Sequence, residues 1–148
     1  MFREGLRPPD PFREKEPLEA AVTQDGMSID ALSRLAPVVL VCLPSLPCDK
    51  LLAALAKQRP SIEAAGARLA LAHFDGDASA LVPHDLDYVA RIADPERRLY
   101  AHFELGTVRS FFKTVQLPGA FVVVEGEATV AWRPASLRAV PGPLHGVT

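Results

Sequence analysis

The longest uninterrupted apolar run, Val38-Val39-Leu40-Val41-Cys42-Leu43, is rich in β-branched residues, the pattern of a central strand covered on both faces in a parallel sheet. The period then changes. From Cys48 onward Leu51, Leu52, Leu55 and Ile62 recur at helical spacing among Lys50, Lys57, Gln58 and Glu63, with Gly66 as the stop and Pro60 predicting a kink. Residues 68–74 read as a second strand, and strand, helix and strand in close succession make a right-handed βαβ unit. A third strand is predicted over 88–93, ended by Asp94-Pro95-Glu96. There Asp94 can cap a helix, and Pro95 suits its first position because the N–H it lacks has no helical partner. That helix is predicted to reach about Leu105, with Leu99 and Phe103 on its buried stripe and Gly106 terminating it. Beyond a loop over 107–117, residues 120–125 and 128–133 read as an antiparallel hairpin turning through Glu125-Gly126-Glu127. The pattern predicts an α/β fold: a mixed sheet with helices on both faces.

A chain of 148 residues, 49% apolar with a net charge of −2, is one ordinary core-forming domain, which excludes collagen, coiled coil and wholesale disorder. Basic and acidic side chains number 16 and 18 and are well mixed, so neither nucleic acid nor a membrane is expected as a partner. The apolar stretch 35–43 is about half of what a membrane span requires, and the N-terminus has no apolar signal core, so a cytoplasmic address is expected. Half of the 14 prolines fall at the two ends. Residues 1–16 and 134–148 are read as irregular, Pro-rich arms on a domain spanning 17–133. The N-terminal arm repeats Phe-Arg-Glu at 2–4 and 12–14, a possible docking tag.

The two cysteines, Cys42 and Cys48, are too few for a disulfide scaffold or a structural zinc site. Cys42 reads as an inert, buried strand residue. Cys48 is different, because it falls in Leu43-Pro44-Ser45-Leu46-Pro47-Cys48, at the C-terminal edge of the central strand, where open α/β sheets collect reactive groups. With Ser45 as N-cap, Cys48 becomes the third helical residue and faces the positive end of the helix dipole. That field lowers a thiol pKa of about 8.5 to about 7–8, while adjacent Asp49 opposes it. His73, Asp75, Asp77 and His84 are the only metal-like grouping, and they read as solvated loop residues. No metal or organic cofactor is expected. Trp132 reads as a core or interface residue.

The order Gln24-Asp25-Gly26, the central strand, Ser45-Leu46-Pro47-Cys48, a helix, Gly66-Ala67-Arg68-Leu69, Ala93-Asp94-Pro95-Glu96-Arg97-Arg98-Leu99-Tyr100 and Leu117-Pro118-Gly119-Ala120-Phe121 resembles the peroxiredoxin (AhpC/TSA) branch of the thioredoxin fold over residues 17–133. The resemblance implies a thioredoxin-like three-layer sandwich. It implies Cys48 as the nucleophile that attacks a peroxide O–O bond, Ser45 as the hydroxyl that orients the thiolate, and a sulfenic acid reduced by another thiol. The family's proline seven residues before the cysteine is Val41 here, and its peroxide-polarising arginine is Pro118. Pro118 instead resembles the cis-proline of thioredoxins, whose Cys-x-x-Cys would be Ser45-x-x-Cys48. The implied pocket therefore comprises Pro44, Pro47 and Pro118, with Arg109 or Arg133 as a replacement cation. Relatives that pair through loops near the active site make a homodimer possible, with Tyr100, Phe103, Phe111 and Phe112 as an association surface; core packing is the default for these four.

Two functions stay open. One is a thiol redox enzyme acting on a peroxide or disulfide substrate, re-reduced by a thiol. The other is a non-catalytic thioredoxin-fold module that binds another protein.

Overall fold

The structure, a computed structural model, describes residues 16–75, 77–134 and 139–144. Most of the N-terminal arm, including both Phe-Arg-Glu copies, lies outside the described residues. The elements in chain order are α1 (Glu16–Ala20), α2 (Ile29–Leu35), β1 (Val38–Cys42), α3 (Asp49–Ala64), β2 (Arg68–His73), a 3-10 helix (Ala78–His84), β3 (Ala90–Ala93), α4 (Arg98–His102), β4 (Thr107–Ser110), β5 (Lys113–Gln116), β6 (Gly119–Val124) and β7 (Glu127–Trp132).

The apolar run becomes the centre of the sheet. Every residue of β1 is buried, and the strand order is β3-β2-β1-β6-β7. β1, β2 and β3 are parallel, with Val38 opposite Arg68 and Ala70 opposite Ala90. β6 runs antiparallel along the other side of β1, with Val38 opposite Val123, and β7 closes the hairpin. Because side chains alternate across a strand, β1 feeds two cores. Val39, Val41 and Leu43 pack with Leu51, Leu52, Leu55 and Ile62 of α3. Val38, Leu40 and Cys42 pack with Leu18, Ile29, Leu99, Tyr100, Phe103 and Phe121 on the opposite face. The predicted mixed sheet between helices on both faces is therefore observed.

Several local expectations are corrected. Glu16 opens α1 instead of belonging to an irregular arm, and Ser28 caps α2 from just before it, its hydroxyl accepting from the Ala31 N–H at 3.0 Å. Pro95 and Glu96 lie before the helix, not in it, and α4 starts only after Arg97, which has φ 57°. Asp94 still serves the helix start: its carboxylate accepts from the N–H groups of Arg98 and Leu99, each at 2.9 Å. The helix stops at His102, and Glu104 (φ 56°) takes the left-handed position expected of Gly106. The third strand begins at Ala90, because the preceding chain is spent on the 3-10 helix and a turn. The loop expected over 107–117 is a second hairpin, β4–β5, which forms its own two-stranded sheet.

The C-terminal segment has no regular structure where it is described, yet it is anchored. Gln58 of α3 donates to the Pro141 and Gly142 carbonyls at 3.1 and 2.8 Å and accepts from the Leu144 N–H at 2.8 Å, and Leu144 is buried in the α3 core. No helix among the described residues is long and apolar enough to cross a membrane.

Candidate functional site

β1 carries the chain to Leu43, the two prolines Pro44 and Pro47 bound a short loop, and α3 begins immediately after Cys48. Cys48 is itself the N-cap of α3, with φ −134° and ψ 63° and no side-chain capping bond. This corrects the expected geometry. Ser45 lies too early to cap the helix, and its hydroxyl instead donates to the Asp75 carboxylate, 2.7 Å from both oxygens. Its single proton is thereby committed to a carboxylate beyond the end of β2, leaving none for a thiolate at Cys48.

Cys48 is half-buried and opens onto a cleft of about 270 Å³ lined by Pro44, Ser45, Pro47, Asp49, Lys50, Leu51, Val115, Pro118 and Ala139. The three prolines singled out in the sequence thus meet Ser45 and Cys48 in one place. The peptide before Pro118 is trans, so its likeness to the thioredoxin cis-proline is not met; the cis bond among the described residues is Leu46–Pro47. The two candidate arginines are elsewhere. Arg109 is exposed on β4, and the exposed Arg133 donates to the Glu104 carbonyl; neither lines the cleft. Lys50 does line it, a cation the sequence reasoning passed over although it stands two residues from Cys48.

The electrostatics run against a resting thiolate. Burial, and then the neighbouring Asp49 carboxylate, push the Cys48 thiol up from an ordinary 9.0 to about 12. The direction is opposite to the expected lowering: burial of the thiol in the cleft disfavours its charged form, and Asp49 adds to the effect. Asp49 is held by His84, whose Nε2 lies 3.0 Å from its Oδ1. Cys42 is sealed in the opposite core, and burial followed by Asp94 raises it further. It does not share the Cys48 cleft.

The scaffold beneath the cleft is fixed by Tyr100, which is buried. Its hydroxyl donates to the Leu43 carbonyl and lies 3.2 Å from the Ala72 carbonyl, tying together the ends of β1 and β2 from which the Cys48 and Asp75 loops depart. Phe74 packs edge-on to it at 5.3 Å, and the Arg97 guanidinium sits 4.6 Å above Phe74. Leaving the Leu43 carbonyl short of this buried donor costs about 1–3 kcal/mol, while the Ala72 carbonyl keeps the Leu43 N–H at 2.8 Å. Tyr100→Phe is therefore expected to lower the unfolding free energy by about that amount, read as a lower urea midpoint at an unchanged m-value.

The metal-like grouping disperses into local roles. Asp75 holds Ser45, His84 holds Asp49, and Asp77 caps the 3-10 helix by accepting from the Ser79 N–H at 2.9 Å. Among the described residues no three His, Cys, Asp or Glu side chains converge on a site for a metal ion. Tyr100 and Phe103 are core residues, Trp132 is half-buried against the α3 core, and Phe111 and Phe112 are exposed.

No protein-family model matches the sequence, and no curated protein matches it. Solved structures do resemble it. Peroxiredoxin Q of Xanthomonas campestris superposes with a TM-score of 0.60 at 16% identity, over 79% of this chain and 81% of that one. A secreted disulfide oxidoreductase of Mycobacterium tuberculosis, homologous to E. coli DsbE, gives 0.59 at 17% identity over 90% and 96%. The peroxidoxin BcpB of Mycobacterium tuberculosis gives 0.55 at 16% over 76% and 77%. With the mixed sheet, the crossing helix α3 and the terminal β6–β7 hairpin, these likenesses establish that the chain has the thioredoxin-like fold shared by peroxiredoxins and DsbE-type oxidoreductases.

Proposed function

We propose that this chain is a thiol redox protein of one-cysteine type in which Cys48 is the nucleophile. The carrying observation is the situation of that sulfur: half-buried, at the strand-to-helix junction, in a small cleft walled by Pro44, Pro47 and Pro118. The fold likeness to peroxiredoxin Q and to a disulfide oxidoreductase supports a peroxide or disulfide as its oxidant.

In the hydroperoxide reaction the Cys48 thiol gives its proton to solvent, and the thiolate attacks one peroxide oxygen. An S–O bond forms, the O–O bond breaks, and the departing alkoxide takes up a proton as alcohol. An external thiol then attacks the sulfenic sulfur, releasing water and leaving a mixed disulfide. A second thiol frees Cys48 and carries away the oxidised reductant, so two thiols supply the two electrons. No organic cofactor takes part. Ser45 acts through Asp75 by holding the loop, and Lys50 is the cleft cation nearest in sequence to the sulfur.

A specific observation favours the alternative of a non-catalytic interaction module: the thiol is pushed up to about 12, and neither Arg109 nor Arg133 lines the cleft. Trapping decides between them. Treatment of the folded chain with tert-butyl hydroperoxide and dimedone is expected to label Cys48, as mapped by peptide mass spectrometry. Absence of label on Cys48 at both neutral and alkaline pH would leave only the module.

A further inference from the structure

The β4–β5 hairpin turns through Phe111 and Phe112, which are 92% and 95% exposed, the most exposed large apolar residues described. Both have positive φ, 48° and 69°, as a two-residue type I′ turn requires. Such turns favour Asn-Gly, and bulky aromatic residues are strained there. The chain thus holds its two least buried aromatic side chains on an unfavourable backbone, at the convex tip of a ribbon that forms no part of the main sheet. Neither ring gains burial within the described fold.

The charges around the tip are one-sided. Arg109 and Lys113 flank it, both exposed, and no aspartate or glutamate occurs from Gly106 to Val124. The mixed charge of the whole chain concealed this local asymmetry. Two apolar rings ahead of a cationic collar match an interface that is anionic outside and apolar beneath. A projecting tip of this kind needs no preformed pocket in its target.

We propose that the β4–β5 hairpin is a docking element for an anionic lipid surface, with Phe111 and Phe112 entering the interfacial layer and Arg109 and Lys113 contacting headgroups. Val115, about 10 Å along the strand from the tip, lines the Cys48 cleft, so docking would bring the cleft towards that surface. For this one segment the proposal departs from the sequence-based expectation of no membrane partner.

The test is flotation of the full chain with phosphatidylcholine/phosphatidylserine vesicles and with pure phosphatidylcholine vesicles. The informative variant is Phe111→Asn/Phe112→Gly, which removes the rings while giving the turn its preferred residues, so loss of binding cannot be put down to misfolding. Binding to the anionic vesicles is expected, weakened by salt, and reduced about tenfold or more in that variant. Arg109→Gln/Lys113→Gln should reduce binding to the anionic vesicles selectively. The proposal is overturned if the chain fails to float with anionic vesicles, or if the variant floats as well as the parent. It is equally overturned if sedimentation shows a dimer that the variant dissolves, which would make the tip a contact between subunits. None of these outcomes depends on the reactivity of Cys48.

Discussion

Iodoacetamide is expected to alkylate Cys48 at pH 7 roughly fiftyfold more slowly than an exposed cysteine. Raising the thiol from 9.0 to about 12 lowers the thiolate fraction about a thousandfold, and the greater nucleophilicity of the more basic thiolate recovers about fifteen- to thirtyfold of that. The rate should then climb about tenfold per pH unit across the whole neutral-to-alkaline range, without a plateau near neutrality. Asp49→Asn should shift that profile toward lower pH, since it removes the carboxylate that opposes the anion. The Cys42→Ala background isolates the signal. The same shifts bear on stability. Both thiols hold their protons more tightly folded than unfolded, so this contribution is fully present below about pH 9 and is lost as pH rises toward the Cys48 value of about 12. Denaturation midpoints should therefore fall through the alkaline range.

Phe121→Ala is expected to cost about 3–5 kcal/mol, a large part of the about 5–15 kcal/mol that holds a domain of this size together. Phe121 sits in β6 opposite Leu40 of β1, is fully buried, and stacks on Phe103 with ring centroids 3.8 Å apart. It therefore joins the sheet to the segment that follows α4, and truncation would leave a cavity between layers held by different parts of the chain. Urea denaturation read by circular dichroism measures the loss, and Phe121→Leu, which refills most of the volume, should cost clearly less.

The sheet was legible in the sequence because its signals are long and local. The apolar run of β1, the helical period of α3 and the Glu125-Gly126 turn each carry their own periodicity or turn chemistry. The β4–β5 hairpin was not legible: Thr107–Ser110 and Lys113–Gln116 are short, largely solvent-facing and joined by Phe-Phe, a pair that carries no turn signal. At the site, spacing identified the right loop but not its bonding. Ser45 at three residues from Cys48 reads as a cap, yet the carboxylate that claims its hydroxyl comes from Asp75, thirty residues on, a pairing that only the parallel register of β1 and β2 creates. The direction of the Cys48 shift was not legible for a related reason. The helix dipole can be read from sequence, whereas burial of the sulfur is a tertiary property: Val115 and Pro118, which line the same cleft, come from distant segments. Tyr100, read as packing, turned out to tie two strand ends beneath the loop, and nothing in a linear pattern marks which carbonyls a buried phenol will meet.

The assignment of Cys48 as the working thiol rests most directly on turnover of tert-butyl hydroperoxide with dithiothreitol as reductant, compared among the parent chain, Cys42→Ala and Cys48→Ser. Turnover above the uncatalysed rate is expected for the parent and for Cys42→Ala, rising with pH, with complete loss in Cys48→Ser. A parent chain no faster than Cys48→Ser at any pH would contradict it.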